Sequence, residues 1–168
     1  MRDIFNLFFK ATGYITRKQF ILGAIGLFIF VEGMKFIVRA MPEGIAEFWV
    51  LLIYPLSALY MICCVYGKRL HDMGWSWWPL TGAFFAEFLA AIAVMLAFGG
   101  AEYFEAFSQY ERKAIIDPAT RDAIIADYQA TQAANIIPIT VMLLLIPLCF
   151  TLWLALAKSK NKDNPYKA

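Results

Sequence analysis

The sequence predicts an all-α, polytopic membrane protein with four transmembrane helices, and three observations lead to this fold class. Hydrophobic residues make up 61% of the 168 residues and charged residues only 17%, a balance too apolar for a soluble domain. Apolar stretches of about 20 residues, enough to cross a bilayer core of roughly 30 Å, recur along the chain. Lys and Arg gather at alternate ends of these stretches. The predicted spans are residues 20–41, 48–66, 79–98 and 137–157.

The segment before the first span predicts an amphipathic N-terminal helix. Its apolar residues recur at helical spacing beside Arg2 and Lys10: Ile4, Phe5, Phe8 and Phe9. Such a helix is expected to lie in the lipid headgroup layer. Thr16 and Gln19 then match a capping box, which starts the first span. Because this span lacks a small-residue cleavage site and carries charges, we expect it to be retained rather than removed as a signal peptide.

The loop of residues 99–135, between the third and fourth spans, predicts a helical hairpin. Its first half places aromatic residues on one helical face: Tyr103, Phe107 and Tyr110. Asp117 and Pro118 offer an N-cap and a first-turn proline for a second helix, whose apolar stripe continues with Ile124 and Tyr128. So many aromatic residues are unlike a solvated linker.

No linker rich in Pro, Gly or Ser divides the chain, which favours a single membrane domain over residues 1–168. Cys63, Cys64 and Cys149 all fall inside predicted spans without metal-ligand spacing. We therefore expect them to be buried packing residues.

The distribution of Lys and Arg predicts the orientation in the membrane. Ten of them lie on one side of the predicted spans: Arg2, Lys10, Arg17, Lys18, Lys68, Arg69, Lys158, Lys160, Lys162 and Lys167. The opposite side has Arg112, Lys113 and Arg121. The positive-inside rule therefore places both termini in the cytoplasm and the hairpin outside.

Charged residues also occur inside the predicted spans. The first span carries Glu32, Lys35 and Arg39 on one stripe, and Glu87 lies at similar depth in the third. Each costs about 2.5–3.5 kcal/mol at the bilayer centre, so we expect them to face the bundle and find partners. A Glu32–Lys35 pair approached by Glu87 could be a buried polar cluster that fixes helix register, with Arg39 reaching toward the interface. It could equally serve proton or cation passage, or docking of a partner.

Two motifs and a short tail segment carry a resemblance to a known protein family. The first motif runs from Gly13 to Phe20 as G-Y-I-T-R-K-Q-F, and the second from Lys68 to Trp78 as K-R-L-H-D-M-G-W-S-W-W. Asn164-Pro165-Tyr166 matches the tail more loosely. These residues resemble the DUF805 family of small bacterial inner-membrane proteins. The resemblance implies a bacterial inner-membrane location but no activity, because the function of the family is unknown.

The sequence departs from the family pattern at several positions. Tyr14 and Lys68 stand where Arg is usual, and Trp77 stands where Gly is usual. The tail lacks its G-x-D-P ending, and the hairpin of residues 99–135 resembles an insertion.

The second motif forms, with Arg17, a candidate functional turn after the second span. Its residues are Arg17, Lys68, Arg69, His71, Asp72, Ser76 and Trp78. In one interpretation Arg69 pairs with Asp72 and the turn locks neighbouring spans together. In a second, Arg17, Lys68 and Arg69 hold an anionic lipid headgroup. In a third, Asp72 orients His71 for acid–base chemistry.

These patterns favour a non-enzymatic scaffold or accessory subunit of a membrane complex. The alternatives are a small oligomeric transporter that uses the intramembrane carboxylates and, third, a lipid-acting enzyme. The expected partners are membrane lipid, with anionic headgroups, and another membrane protein or a second copy. Catalytic residues, a cofactor, a metal and nucleic acid are not expected, because no motif for any of them occurs in the sequence.

Overall fold

A computed structural model describes residues 2–42, 44–110 and 116–159, with side chains from residue 5 onward. The helices are α1 (Arg2–Phe9), α2 (Arg17–Ala40), α3 (Ile45–Asp72), α4 (Trp78–Met95), α5 (Ala101–Ser108), α6 (Pro118–Ala134) and α7 (Ile136–Leu156). A π-helical turn, Leu96–Gly100, joins α4 to α5. No strand occurs in these three ranges. The predicted all-α fold class is confirmed.

Four helical stretches are long and apolar enough to cross a membrane, which confirms the predicted number of spans. They are Arg17–Ala40, Ile45–Asp72, Trp78–Ser108 and Ile136–Leu156. The third stretch continues through α5 to Ser108, ten residues beyond the predicted end at residue 98. Helix α3 runs to Asp72, six residues beyond the predicted end at residue 66. Lys68, Arg69 and Asp72 therefore lie on the last turns of a helix and not in the turn after it. The prediction stopped where the apolar run stops, whereas the helix continues until Gly74 ends it.

Helix α2 begins as the sequence predicts. The Thr16 side chain accepts a hydrogen bond from the Gln19 backbone N–H, and the Gln19 side chain accepts one from the Thr16 backbone N–H at 2.9 Å. This capping box satisfies amide groups that the first turn of a helix leaves unpaired.

The chain divides into two compact units, residues 1–82 with 150–168 and residues 83–149. The single domain stays a prediction. In the first unit, α2 and α3 pack around a core of Ile15, Phe20, Leu27, Met61, Val65, Leu70, Met73, Leu80 and Leu154. Gly23 allows close packing, because a Cβ there would lie 2.9 Å from a methyl group of Val65. Outside this core many apolar side chains of the spans are exposed on the protein surface, as residues facing lipid would be.

Helix α1 packs against the same core through one face. Leu7 and Phe8 contact the core cluster, while Phe5 and Phe9 are exposed and stack with their rings 5.0 Å apart. The amphipathic N-terminal helix is thus confirmed, with Phe8 turned toward the protein. Its position in the headgroup layer stays a prediction.

In the second unit, α5 and α6 form the predicted pair of hairpin helices. Their contact includes Tyr103 and Tyr128, whose rings lie 5.0 Å apart, and Phe107 is buried beside Tyr103 at 4.9 Å. The chain leaves helical geometry at Phe98 and Gly99, where Gly99 has φ of +97°. The side-chain amide of Gln132 donates a hydrogen bond to the Phe98 carbonyl and so ties α6 to this bend.

The three cysteines occupy different environments. Cys64 is buried, Cys63 is half-buried and Cys149 is exposed. The prediction of a buried packing role was therefore wrong for Cys149. Its position inside a span carried no information about which face of the helix meets the protein.

Candidate functional site

The candidate site is built around Arg69, a fully buried side chain one turn before the end of α3. Its guanidinium donates to the carbonyls of Leu154 at 3.0 Å and Ala157 at 2.6 Å, at the end of α7. Its Nη1 atom donates to the Asp72 carboxylate and, at 3.1 Å, to the Ser159 hydroxyl. The Arg69–Asp72 ion pair that the sequence spacing predicts is present.

These contacts make Arg69 a cap for the C-terminus of α7. The last carbonyls of an α-helix have no partner within the helix and carry partial negative charge. A guanidinium is suited to this position, because its five N–H donors can meet several acceptors in one plane. Arg69 thereby fastens α3 to the end of the last span.

Arg17 joins the same cap from the start of α2. Its Nε donates to the Ala157 carbonyl at 2.8 Å, so Arg17 and Arg69 share one acceptor. Unlike Arg69, Arg17 is exposed. Three chain segments far apart in sequence therefore meet at the end of α7.

Asp72 balances the charge of this buried cluster. It is 2% exposed, and its Oδ2 accepts from both Arg69 and the Ser159 hydroxyl. A buried carboxylate without such partners would be costly. Ser159 thus links the segment after α7 to both members of the ion pair.

Lys68 makes the same kind of contact with α1 as Arg69 makes with α7. The side chain is 3% exposed, and its ammonium donates to the carbonyls of Asn6 at 2.5 Å and Leu7 at 2.7 Å. The Tyr60 hydroxyl donates to the Phe9 carbonyl at 2.9 Å. Helix α3 therefore supplies donors to the C-terminal carbonyls of α1 as well as those of α7.

Gly74 ends α3 through a Schellman motif. Its φ is +78°, its N–H donates to the His71 carbonyl at 3.0 Å, and the Trp75 N–H donates to the Leu70 carbonyl at 2.9 Å. This left-handed position favours glycine. Gly13, in the first motif, also has a positive φ, of +106°. The two motifs thus include both glycine-dependent turns of the first unit.

The aromatic part of the second motif packs around Trp77. Its ring lies against Gly67, where a Cβ would come within 2.7 Å of it. The same ring meets His71 edge-on at a centroid distance of 6.0 Å. Trp77 also provides the first acceptor carbonyl of α4. Ser76 and Trp78 are exposed.

The polar residues inside the spans belong to both units. The predicted Glu32–Lys35 pair is present at 2.7 Å, with both side chains about half exposed from the protein. Arg39 is exposed at the last turn of α2. Glu87 lies in the second unit, and its Oε2 is buried without a hydrogen-bond partner in the part of the chain that the structure describes.

Several participants were missed from the sequence. Ser159 gave no motif signal, and the acceptor carbonyls of Leu154 and Ala157 are backbone groups that no pattern marks. The one available signal was the end of α7 itself, because unpaired carbonyls require donors. Within residues 2–42, 44–110 and 116–159, no three His, Cys, Asp or Glu residues lie close enough to hold a metal ion.

The comparisons with known proteins agree with the two motifs. The model of the family described as "Protein of unknown function (DUF805)" matches residues 8–111, which include both motifs and all of the first three spans. Searches of curated proteins and of solved structures gave no match. Since the family match covers 104 of the 168 residues, the chain belongs to the DUF805 family.

Proposed function

We propose that this protein is a non-enzymatic scaffold or accessory subunit of a complex in the bacterial inner membrane. The observation that carries the proposal is that the charged residues of the second motif are buried and bonded within the protein. Arg69 and Asp72 are buried and bonded to each other and to the end of α7. Lys68 is buried against α1. Side chains fixed in this way hold helices together, whereas a catalytic site needs groups that reach a substrate.

The test is extraction of the tagged protein with its surrounding lipid, without detergent, followed by native mass spectrometry. The proposal predicts particles that contain a second membrane protein in a fixed ratio, or several copies of this chain. Particles that contain one copy alone, confirmed by in-membrane crosslinking at low expression, would overturn it. A variant Arg69→Met that loses assembly while Lys18→Met retains it would connect assembly to the cap of α7.

We also propose that both termini lie in the cytoplasm and the α5–α6 pair outside. The support is the excess of Lys and Arg on the terminal side. Single cysteines at Thr12 and Gln109, both exposed, in a chain lacking its own three cysteines, test this orientation. Impermeant maleimide applied to intact cells should label Gln109→Cys and spare Thr12→Cys. The reverse pattern would overturn it.

A transporter is the second candidate, favoured by the buried oxygen of Glu87, which has no hydrogen-bond partner among the residues that the structure describes. An intramembrane carboxylate of this kind is a default suspect for ion movement. If the protein conducts protons or cations, liposomes should show a flux that Glu87→Gln abolishes and Glu105→Gln, an exposed control on α5, leaves intact. Equal flux in liposomes with either variant would exclude this candidate.

A further inference from the structure

A cavity of about 580 Å³ lies between α1, the segment after it and α2, apart from the cap of α7. Its lining includes both apolar and polar residues. The apolar part is formed by Leu7, Phe8, Ile15, Leu22 and Gly26, and the polar part by Asn6, Lys10, Thr12, Tyr14, Gln19 and Lys68. A cavity lined by both apolar and cationic side chains fits an amphipathic, anionic ligand.

The position of the lining residues on α2 indicates depth in the membrane. Gln19, Leu22 and Gly26 share one helical face, and seven residues of α-helix rise by about 10 Å. Since α2 starts at Arg17, the cavity begins at the first turn of the span and continues into its apolar part. At Gly26 a Cβ would lie 2.9 Å from the Phe8 ring, so glycine allows Phe8 to close this side.

The polar part is positively charged. Lys10 and Lys68 both line it, and the lining contains no Asp or Glu among the residues that the structure describes. Two of the three N–H groups of the Lys68 ammonium donate to the carbonyls of Asn6 and Leu7. Its third donor has no hydrogen-bond partner within residues 2–42, 44–110 and 116–159. A phosphate oxygen is a suitable acceptor for this nearly buried ammonium.

We propose that this cavity binds one anionic phospholipid, with the phosphate between Lys10 and Lys68 and an acyl chain along Leu22 and Gly26. This site differs from a headgroup site at Arg17 and Arg69, which both donate to the Ala157 carbonyl. An anionic phospholipid and a free phosphate ion both offer a phosphate group to the two lysines. The apolar half of the cavity selects the lipid.

The experiment is native mass spectrometry of the protein released from phosphatidylcholine nanodiscs that contain phosphatidylglycerol. We expect one retained phosphatidylglycerol per chain. Lys10→Gln should weaken its retention at least about fivefold, the effect of one Lys near a membrane surface. Lys18→Gln removes an equal charge from an exposed residue outside the cavity and should have little effect. Equal losses in both variants would overturn the proposal in favour of diffuse surface attraction.

The apolar half is tested by Leu22→Trp, which fills the cavity, against Ile25→Trp, an exposed residue of α2 outside it. Only Leu22→Trp should lower phosphatidylglycerol retention, while the circular dichroism of both variants stays that of the parent protein. Inorganic phosphate at millimolar concentration separates the two sources of the anion. Displacement of the lipid by phosphate, or unchanged retention in Leu22→Trp, would mean a free-anion site and refute a lipid site.

Discussion

Replacing Arg69 by Met tests whether the cap of α7 stabilises the first unit. Arg69 has no exposed surface and Asp72 has 2%, so the change leaves a buried carboxylate without its counterion. Removing one partner of a buried pair typically costs about 3–5 kcal/mol. Arg17 still donates to Ala157, whereas the Leu154 carbonyl loses the donor it had in Arg69. We therefore expect a loss within that range.

The assay uses Cys64, which is buried on α3 in the same unit. In a background of Cys63→Ser and Cys149→Ser, a maleimide reagent reacts with Cys64 only when the structure opens. The labelling rate therefore reports the free energy of opening. Because about 1.4 kcal/mol corresponds to a factor of ten, Arg69→Met in nanodiscs should label roughly two to three and a half powers of ten faster.

Three companion variants make the expectation specific. Arg69→Lys keeps a charge beside Asp72 but loses the planar fork, so we expect a smaller loss of about 1–3 kcal/mol. Lys18→Met changes an exposed residue and should stay within about 0.5 kcal/mol of the parent. The double change Arg69→Met with Asp72→Met should be less destabilising than Arg69→Met alone, since no buried charge is left unpaired. Equal labelling rates for Arg69→Met and Lys18→Met would refute the reasoning.

Three further changes probe the other contacts of the fold. Gly74→Ala places a side chain at φ of +78° and should lower the free energy of opening by about 1–2 kcal/mol in the same labelling assay. Gly82→Ala, at a position where a Cβ meets nothing within 4 Å, should not lower it. Lys68→Met leaves the Asn6 and Leu7 carbonyls without their donor, so hydrogen exchange in α1 should speed up by about fivefold or more; unchanged exchange would show that the Lys68 hydrogen bonds do not stabilise α1. Gln132→Ala removes the bond to the Phe98 carbonyl and should speed exchange in α5 by a similar factor, while Gln129→Ala, an exposed neighbour on α6, should leave it unchanged.

Local features of this fold could be predicted because their partners lie a few residues apart. The capping box of Thr16 and Gln19, the Glu32–Lys35 pair and the Arg69–Asp72 pair each depend on helical spacing of three residues. Helix α6 also begins at Pro118 after Asp117 as the sequence predicts, although the Asp117 side chain makes no capping hydrogen bond. Periodicity is sufficient for these contacts, since a helix brings such residues to one side.

The contacts that define the candidate site are of another kind. Arg69 lies 85 residues from Leu154 and 88 from Ala157 in sequence, and helical spacing carries no information at that separation. The length of α3 was misjudged for a related reason. Its last six residues include Lys68, Arg69 and Asp72, which read as a loop by hydropathy, although burial against helix ends makes them part of the packed helix.

The cap contacts also change how the charge asymmetry of this chain should be interpreted. Arg17, Lys68 and Arg69 each donate to carbonyls at the C-terminus of α1 or just beyond α7, so their position has a structural cause independent of membrane insertion. Without these three, seven of the ten basic residues on that side remain, against three on the other. The predicted orientation therefore does not depend on residues that the fold itself requires. Because cations stabilise helix C-termini, spans that end on the cytoplasmic side gain from the same residues that the positive-inside rule counts. In the proposed orientation the two effects act in the same direction, and a variant such as Arg69→Met should weaken the fold without reversing the topology.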